Sequence, residues 1–475
     1  MGINFQTRRA RWGSAVVATL LFMAAWLPWH PARPLLPTAD LYTHLSVARH
    51  LVRGEGFRND VTYPLSFAFP FARQLPQPLI NRQPGFALLL TIPYLTAARD
   101  AELTLVHTRV LQLVLMSLII LLGVRGLQRR NRIWGVVPWF VLLGSSSLWA
   151  FGVAWGFEEI TVSALLLLLW LRGRRQRASG PDAVSGLLWG GLILFRLDLF
   201  WLPLLWWLLQ LSSAEAKARG RGLYLRNFAL ASLVALTVMS PWLVRNTRLT
   251  GQPFFTLQSQ AELVKDTRAW PGYQVYRQLK PQPMALVLRE DPVPVLRKAA
   301  RGLKFYWRDS RRFFPPLLLF GFAVISGRAI WRRRASGGEA KGDRSAPAVA
   351  FLTFLALCFQ YSFFDHSLRH LLVLLPILAW EVAHFAGRDW RLAAAVSLTV
   401  ILPWAPLPGW QQAARTAELA AQEQPWLQDR ELIAAGGIYF FEYSAGPWFL
   451  DHPGVWRSDV GEDKIPLLLD SATSR

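Results

Sequence analysis

Asp40 and His44 stand four residues apart in TADLYTHLSVARHLVRGEGF, a spacing that puts both on one face of a helix. Farther along, charged side chains recur at the ends of apolar runs. Arg82 precedes Pro84-Gly85, Glu158 and Glu159 open one run, and Arg196 and Asp198 interrupt another. Arg245 and Asn246 follow Pro241-Trp242, and Asp365, His366, Arg369 and His370 form a last cluster. A carboxylate suits a general base that takes the proton of an acceptor hydroxyl. Arginines suit phosphate, which their planar fork binds in bidentate fashion. A phosphate-bearing substrate with an acceptor hydroxyl or amine fits this mixture. Each residue taken singly has a structural alternative: a solvated loop acid for Asp40, and a helix cap, a snorkelling arginine or a salt bridge for the others. Together they point to one polar cavity on one side of a membrane.

The membrane follows from composition. Of 475 residues, 53% are hydrophobic and 17% charged, with 23 Trp and 29 Phe, where a soluble chain carries about 25% charged residues. The net charge of +22 raises the question of nucleic acid, but the basic residues sit in short clusters at the ends of apolar runs. These are Arg8–Arg11, Arg125–Arg132, Arg172–Arg177, Lys217–Arg226 and Arg328–Arg344. Such placement is what the positive-inside rule produces, and stacking platforms and groove-reading motifs are absent. A single cysteine, Cys358, excludes an intrachain disulfide and a cysteine-based metal site.

With about 20 apolar residues per crossing, the basic clusters set the sidedness. A retained first span over about 12–30 places the loop 31–83 outside. Of the next two apolar segments, 103–124 is expected to cross and 84–98, short and holding Pro93, to be interfacial or re-entrant; two full crossings are the alternative. Spans follow at about 133–152 and 157–171. The run 184–212 is expected to form two short spans that meet at Arg196 and Asp198 on the outer face. Spans at about 227–243, 313–329, 347–364, 370–387 and 391–408 bring the total to about eleven. The region 245–312 reads as an outer loop. Residues 1–408 thus form the membrane module, and 409–475 a small α/β cap outside, with one or two short strands in ELIAAGGIYFFEYSAGPWFLDHPGVW. The stretch LSVARHLVRGEGF reads as an interfacial helix whose Arg49, His50 and Arg53 meet lipid headgroups.

Four stretches resemble polytopic glycosyltransferases of the GT-C type, the branch of the protein O-mannosyltransferases (glycosyltransferase family 39) and the lipid A aminoarabinose transferases. TADLYTHLSVARHLVRGEGF is similar to the acid after the first span with its A-x-x-L-x-x-G-x-G-F continuation. NRQPGFALLL is similar to R/K-x-P-x-x-x-x-L, SPWLVRNTRLTGQPFF to P-W-x-x-R-N-x-x-x-x-G-x-P, and DHSLRHLLVLLPILAW to R-Y-x-x-x-x-x-P. The resemblance implies an α-helical GT-C fold and a multi-pass protein of the inner or plasma membrane, with its site facing outside the cytoplasm. It also implies a polyprenyl-phosphate sugar donor, an acceptor on a lipid, glycan or protein, and inversion at the anomeric carbon. Asp40 is then the general base. Arg82, Arg245 and Arg369 are phosphate-side candidates, joined by Arg196 and His370, while His44, Asp198, Asn246, Asp365 and His366 complete the cavity. The chain departs from the pattern at several places. Ala39 and Leu41 flank Asp40 where many relatives pair two acids, so a second acid has to come from Glu158, Glu159 or Asp60. Arg82 stands where the aminoarabinose branch carries Glu, and His370 where the motif has Tyr. A divalent cation is left open as a cofactor, with no ligands assigned.

The competing reading is a transporter or flippase of a lipid-linked saccharide, since charges within the membrane are expected there too. Matching Gly/Pro-broken spans in two halves would favour it, and the sequence has none. A non-catalytic membrane scaffold leaves the shared sidedness of the charges without a purpose.

Overall fold

The computed structural model describes residues 5–26, 39–146, 149, 152–153, 156–176, 179–211, 221–313, 320–324, 346–401, 439–441 and 454–456. Helix dominates. In chain order the helices are α1 (Phe5–Trp26), α2 (Ala39–Val52), α3 (Pro84–Thr96), α4 (Ala101–Arg129), α5 (Val136–Gly144), α6 (Glu158–Gly173) and α7 (Ala183–Phe195). Next come α8 (Trp201–Leu211), α9 (Arg221–Thr250), α10 (Met284–Glu290), α11 (Val293–Phe313), α12 (Ala346–Phe364), α13 (Leu375–Ala386) and α14 (Trp390–Ile401). Among the described residues, four helical stretches are long and apolar enough to cross a membrane: Ala101–Arg129, Arg221–Thr250, Ala346–Phe364 and Leu368–Ala386. The chain is a helical membrane protein. Much of the expected 313–329 crossing and of the 409–475 cap lies outside the described residues.

Without a hydrophobic drive between helices in lipid, close packing holds them together, and small residues permit it. Gly186 and Gly190 of α7 show this against α9. A Cβ on Gly186 would stand 2.3 Å from the Ala231 carbonyl oxygen, and one on Gly190 would stand 2.8 Å from Val238. Elsewhere bulk fills the interior: Trp139, Trp149 and Trp380 are fully buried. The indole of Trp380 donates to the Gly123 carbonyl at 3.1 Å. This region lies toward one end of the bundle, where Arg174, from the basic cluster after α6, pairs with buried Glu381 of α13. Trp170 also donates to Glu381, at 2.8 Å.

The other end carries the candidate site, and α3 belongs to it. Thirteen residues make a helix of about 20 Å, short of the hydrocarbon thickness of about 30 Å. Gln112 of α4 donates to the Phe157 carbonyl just before α6 at 3.3 Å, while Gly126 packs against Trp380 at the opposite end. α4 thus runs from the level of the site to the opposite end. The run 184–212 breaks at Arg196, whose φ of −142° and ψ of 95° are extended, and folds back. Trp189 of α7 and Trp207 of α8 meet edge to face at 5.2 Å.

Three expectations need correction. The first loop does not hold an interfacial helix: residues 41–50 of α2 are buried throughout. Arg49 and His50 face inward onto Asp60, at 2.5 and 2.8 Å, instead of meeting lipid. Second, α9 runs on through Pro241 to Thr250, so Arg245 and Asn246 are helical and the outer loop begins later. A proline removes one backbone donor from a helix. The helix continues because its far turns are held by the first loop, with Arg245 donating to the Leu79 and Phe57 carbonyls at 2.8 and 3.3 Å. Third, the region 245–312 is not all loop, since it contains α10 and α11.

Short strands tie the outer parts together. β1 (Arg58–Asn59) pairs antiparallel with β3 (Gln77–Pro78). β2 (Val61–Thr62) pairs in parallel with β5 (Gly454–Trp456), which in turn pairs in parallel with β4 (Tyr439–Phe441). Both C-terminal strands fall in the stretch where strands were expected, and they join the tail to the first loop.

Candidate active site

The charges at the segment ends come together. Asp40, in the first turn of α2, accepts from Arg82 on one oxygen and from Arg369 at 2.7 Å on the other. Arg369 also reaches Glu159 at 3.8 Å. Glu158 and Glu159 open α6, where the exposed amide groups and dipole of a helix N-terminus favour negative charge. Arg196, freed to turn inward by the break after α7, contacts Glu159 at 3.2 Å and Glu158 at 3.3 Å. It also makes two bonds of 2.9 Å to Asp198. His370 bridges Glu159 at 3.5 Å and Asp365 at 3.0 Å. Nine of the anticipated residues thus form one chain of alternating charge.

His44 lies beneath it. Its ring is buried, edge to face with Phe86 at 5.1 Å, and its Nε2 stands 3.5 Å from Glu158. Three other candidates are placed elsewhere. Arg245 stacks on Trp242 at 4.5 Å and grips the first loop, and it is not among the residues that line the cavity described below. Asn246 donates to the Pro253 carbonyl at 3.3 Å. The His366 ring stacks on Phe305, with Nε2 3.0 Å from the Ser362 carbonyl oxygen. Asp60, weighed as a second acid, is buried away from the cavity lining with Arg49 and His50.

The charged chain borders a cavity of about 840 Å³. Its polar lining includes Arg82, Glu158, Arg196, Asp365, Arg369 and His370. Its apolar lining includes Trp189, Ile193, Trp201, Leu236 and Met239 from α7, α8 and α9. The cavity lies within the 300–1,000 Å³ range typical of small-molecule sites, and its apolar lining with a few convergent polar groups is the usual composition of one. Sequence reasoning missed several lining residues. Lys265 sits 3.2 Å from Asp365 and 3.8 Å from Glu262. Tyr361 donates to Asp198 at 2.6 Å and accepts from Arg196 at 2.9 Å. The polar triplet Gln360-Tyr361-Ser362, inside an otherwise apolar helix, was a readable signal for Tyr361. Lys265, in an irregular loop, offered none.

The electrostatics follow from the pairing. Burial alone would raise the Asp40 carboxyl, but Arg82 and Arg369 outweigh it and hold the group well below the usual carboxylate range. Burial likewise works against the charged form of Asp365, and His370 and Lys265 reverse it. Lys265 is raised above its ordinary value, burial being offset by Glu262 and Asp365. Among the described residues no group of three or more His, Cys, Asp or Glu side chains is arranged to hold a metal ion, so no ligands are assigned to a divalent cation. No protein-family model, curated protein or solved structure matches the chain.

Proposed function

We propose that this chain is an integral membrane glycosyltransferase of the GT-C type. It would move a sugar from a polyprenyl-phosphate donor to a lipid, glycan or protein acceptor on the extracytoplasmic side of an inner or plasma membrane. The observation that carries this reading is the setting of Asp40. A carboxylate lies between two arginines, and those arginines line a cavity that also has many apolar side chains in its lining. Arginines and apolar side chains match a lipid phosphate, and the carboxylate matches a hydroxyl acceptor. The reading includes about eleven crossings, the usual 20 apolar residues being assigned to each.

In this reading the donor phosphate engages Arg82 and Arg369. The acceptor oxygen attacks the anomeric carbon from the face opposite the phosphate, and the bond from that carbon to the phosphate oxygen breaks. Asp40 takes the acceptor proton, and polyprenyl phosphate leaves with its negative charge on the arginines. One displacement inverts the anomeric centre. The free site holds Asp40 too acidic to be an effective base. A phosphate that draws the guanidinium donors toward itself would relieve this, since opposite charges nearby are what hold the carboxyl low. Donor binding and base activation are therefore linked.

The test is transfer by the purified protein from a panel of labelled polyprenyl-phosphate sugars, with a membrane extract as acceptor. Label in a protein, lipid or glycan fraction supports the reading. Donor that binds and is never transferred, by folded protein, would favour a transporter of lipid-linked saccharide.

A further inference from the structure

α11 (Val293–Phe313) is divided lengthwise into three stripes, and they explain where it lies. Val295, Lys298, Ala299, Gly302 and Tyr306 are buried against the protein. Their spacing of three and four residues marks one helix face. Tyr306 donates to the Asp365 carbonyl at 2.7 Å. Lys298 donates to the Glu262 and Phe364 carbonyls, each at 2.7 Å, and so fixes α11 to the rim of the cavity. Burial pushes the Lys298 amine down to about 8. Next to the buried stripe, at about 120° around the axis by the helical repeat, are Leu296, Leu303 and Trp307, exposed by 58%, 43% and 87%. Beyond them comes an exposed basic stripe of Arg297, Arg301, Lys304 and Arg308.

A helix in water has no reason to expose a leucine–tryptophan stripe beside a row of cations. A helix at a lipid surface does, because tryptophan and leucine enter the headgroup boundary and the flanking cations meet phosphates. With the protein on one side, the remaining stripes fit lipid below and headgroups and water beside it. We propose that α11 docks on the bilayer surface next to the cavity and that its partner is anionic phospholipid. The occupant is chosen on charge: four exposed cations form one stripe, of which, among the described residues, only Arg308 has a carboxylate partner, the buried Asp309 at 2.7 Å, and no acid is exposed among them between Val293 and Arg308. This inference does not depend on the catalytic reading. It places lipid phosphates at the rim of the same cavity.

The experiment uses the full chain in nanodiscs. Cys358, which is buried, is replaced by Ala, and Leu296→Cys carries an environment-sensitive fluorophore. In phosphatidylglycerol discs the emission should lie clearly to the blue of its position in phosphatidylcholine discs. It should move back toward that position in high salt and in the triple variant Arg297→Gln/Lys304→Gln/Arg308→Gln. Quenching by a chain-labelled lipid should follow the same order. The comparison between lipids uses one labelled protein, so it holds whether or not the triple variant folds. A water-like emission in both lipids would overturn the proposal, and so would an equal blue shift in both that ignores salt. The second result would point to apolar contact alone or to a protein partner.

Discussion

Asp40 and Asp60 are twenty positions apart in the same outer segment, and both face an arginine and a histidine. Asp40 has Arg82, Arg369 and, nearby, His44. Asp60 has Arg49 and His50, with Glu55 on the far nitrogen of that histidine. What differs is the remaining side. Asp60 is 2% exposed and enclosed by β1, α2 and the Ser46 hydroxyl, which accepts from the Asp60 amide at 2.8 Å. Asp40 is 27% exposed, and its arginines line a cavity. A closed ion-pair cluster can only hold structure. The same groups with one open side can exchange partners with a ligand, so residue type cannot assign function here without enclosure.

This contrast can be broken by substitution. Asp40→Asn should lower turnover per folded molecule by about 10²–10⁴-fold, the usual contribution of a general base, along with some loss of melting temperature because Arg82 and Arg369 lose their shared carboxylate; near-normal turnover would remove Asp40 from that role. Asp60→Asn leaves Arg49 and His50 buried with half their partner, and losing one side of a buried ion pair costs about 3–5 kcal/mol. Denaturant or thermal unfolding should register that loss, while turnover per folded molecule stays near wild type. Arg245→Ala removes two bonds to carbonyls of the first loop, so a stability loss of about 1–3 kcal/mol is expected, with donor KM unchanged. A raised donor KM at wild-type stability would return Arg245 to the phosphate side.

The smallest effect is on pH dependence. Burial would lower His50, but Asp60 and Glu55 hold it above its ordinary 6.5. Its stabilisation is therefore complete below 6.5 and lost as pH rises through the higher folded value. Burial would raise Asp60, but His50 and Arg49 hold it below its ordinary 3.8. That contribution is complete above 3.8 and lost as pH falls. Melting temperature should fall on either side of this window, and His50→Gln should flatten the alkaline decline.

Much of the site was readable because charge inside an apolar segment is costly and needs a reason. Glu158, Arg196, Asp365 and Arg369 stood out in this way, and the fold joins them. Arg245 misled for the same reason, since its position after Pro241-Trp242 resembles an outer segment end while its partners are backbone carbonyls that no sequence pattern displays. The burial of α2 was hidden because an amphipathic repeat does not say whether its polar face meets lipid, water or protein. α2 covers Arg49 and His50 with its own loop, whereas α11 leaves Arg297, Arg301, Lys304 and Arg308 exposed. α11 itself was legible in the three- and four-residue spacing of Val295, Ala299, Gly302 and Tyr306, within a region whose many prolines otherwise favour loop.

The most direct test of the account measures Asp40→Asn and Asp60→Asn side by side, with turnover per folded molecule and melting temperature read from the same preparations under saturating donor. The account predicts that Asp40→Asn loses turnover per folded molecule whatever its melting temperature, whereas Asp60→Asn loses melting temperature and keeps its turnover. Asp40→Asn that turns over like wild type, or Asp60→Asn that loses turnover while melting normally, would contradict it.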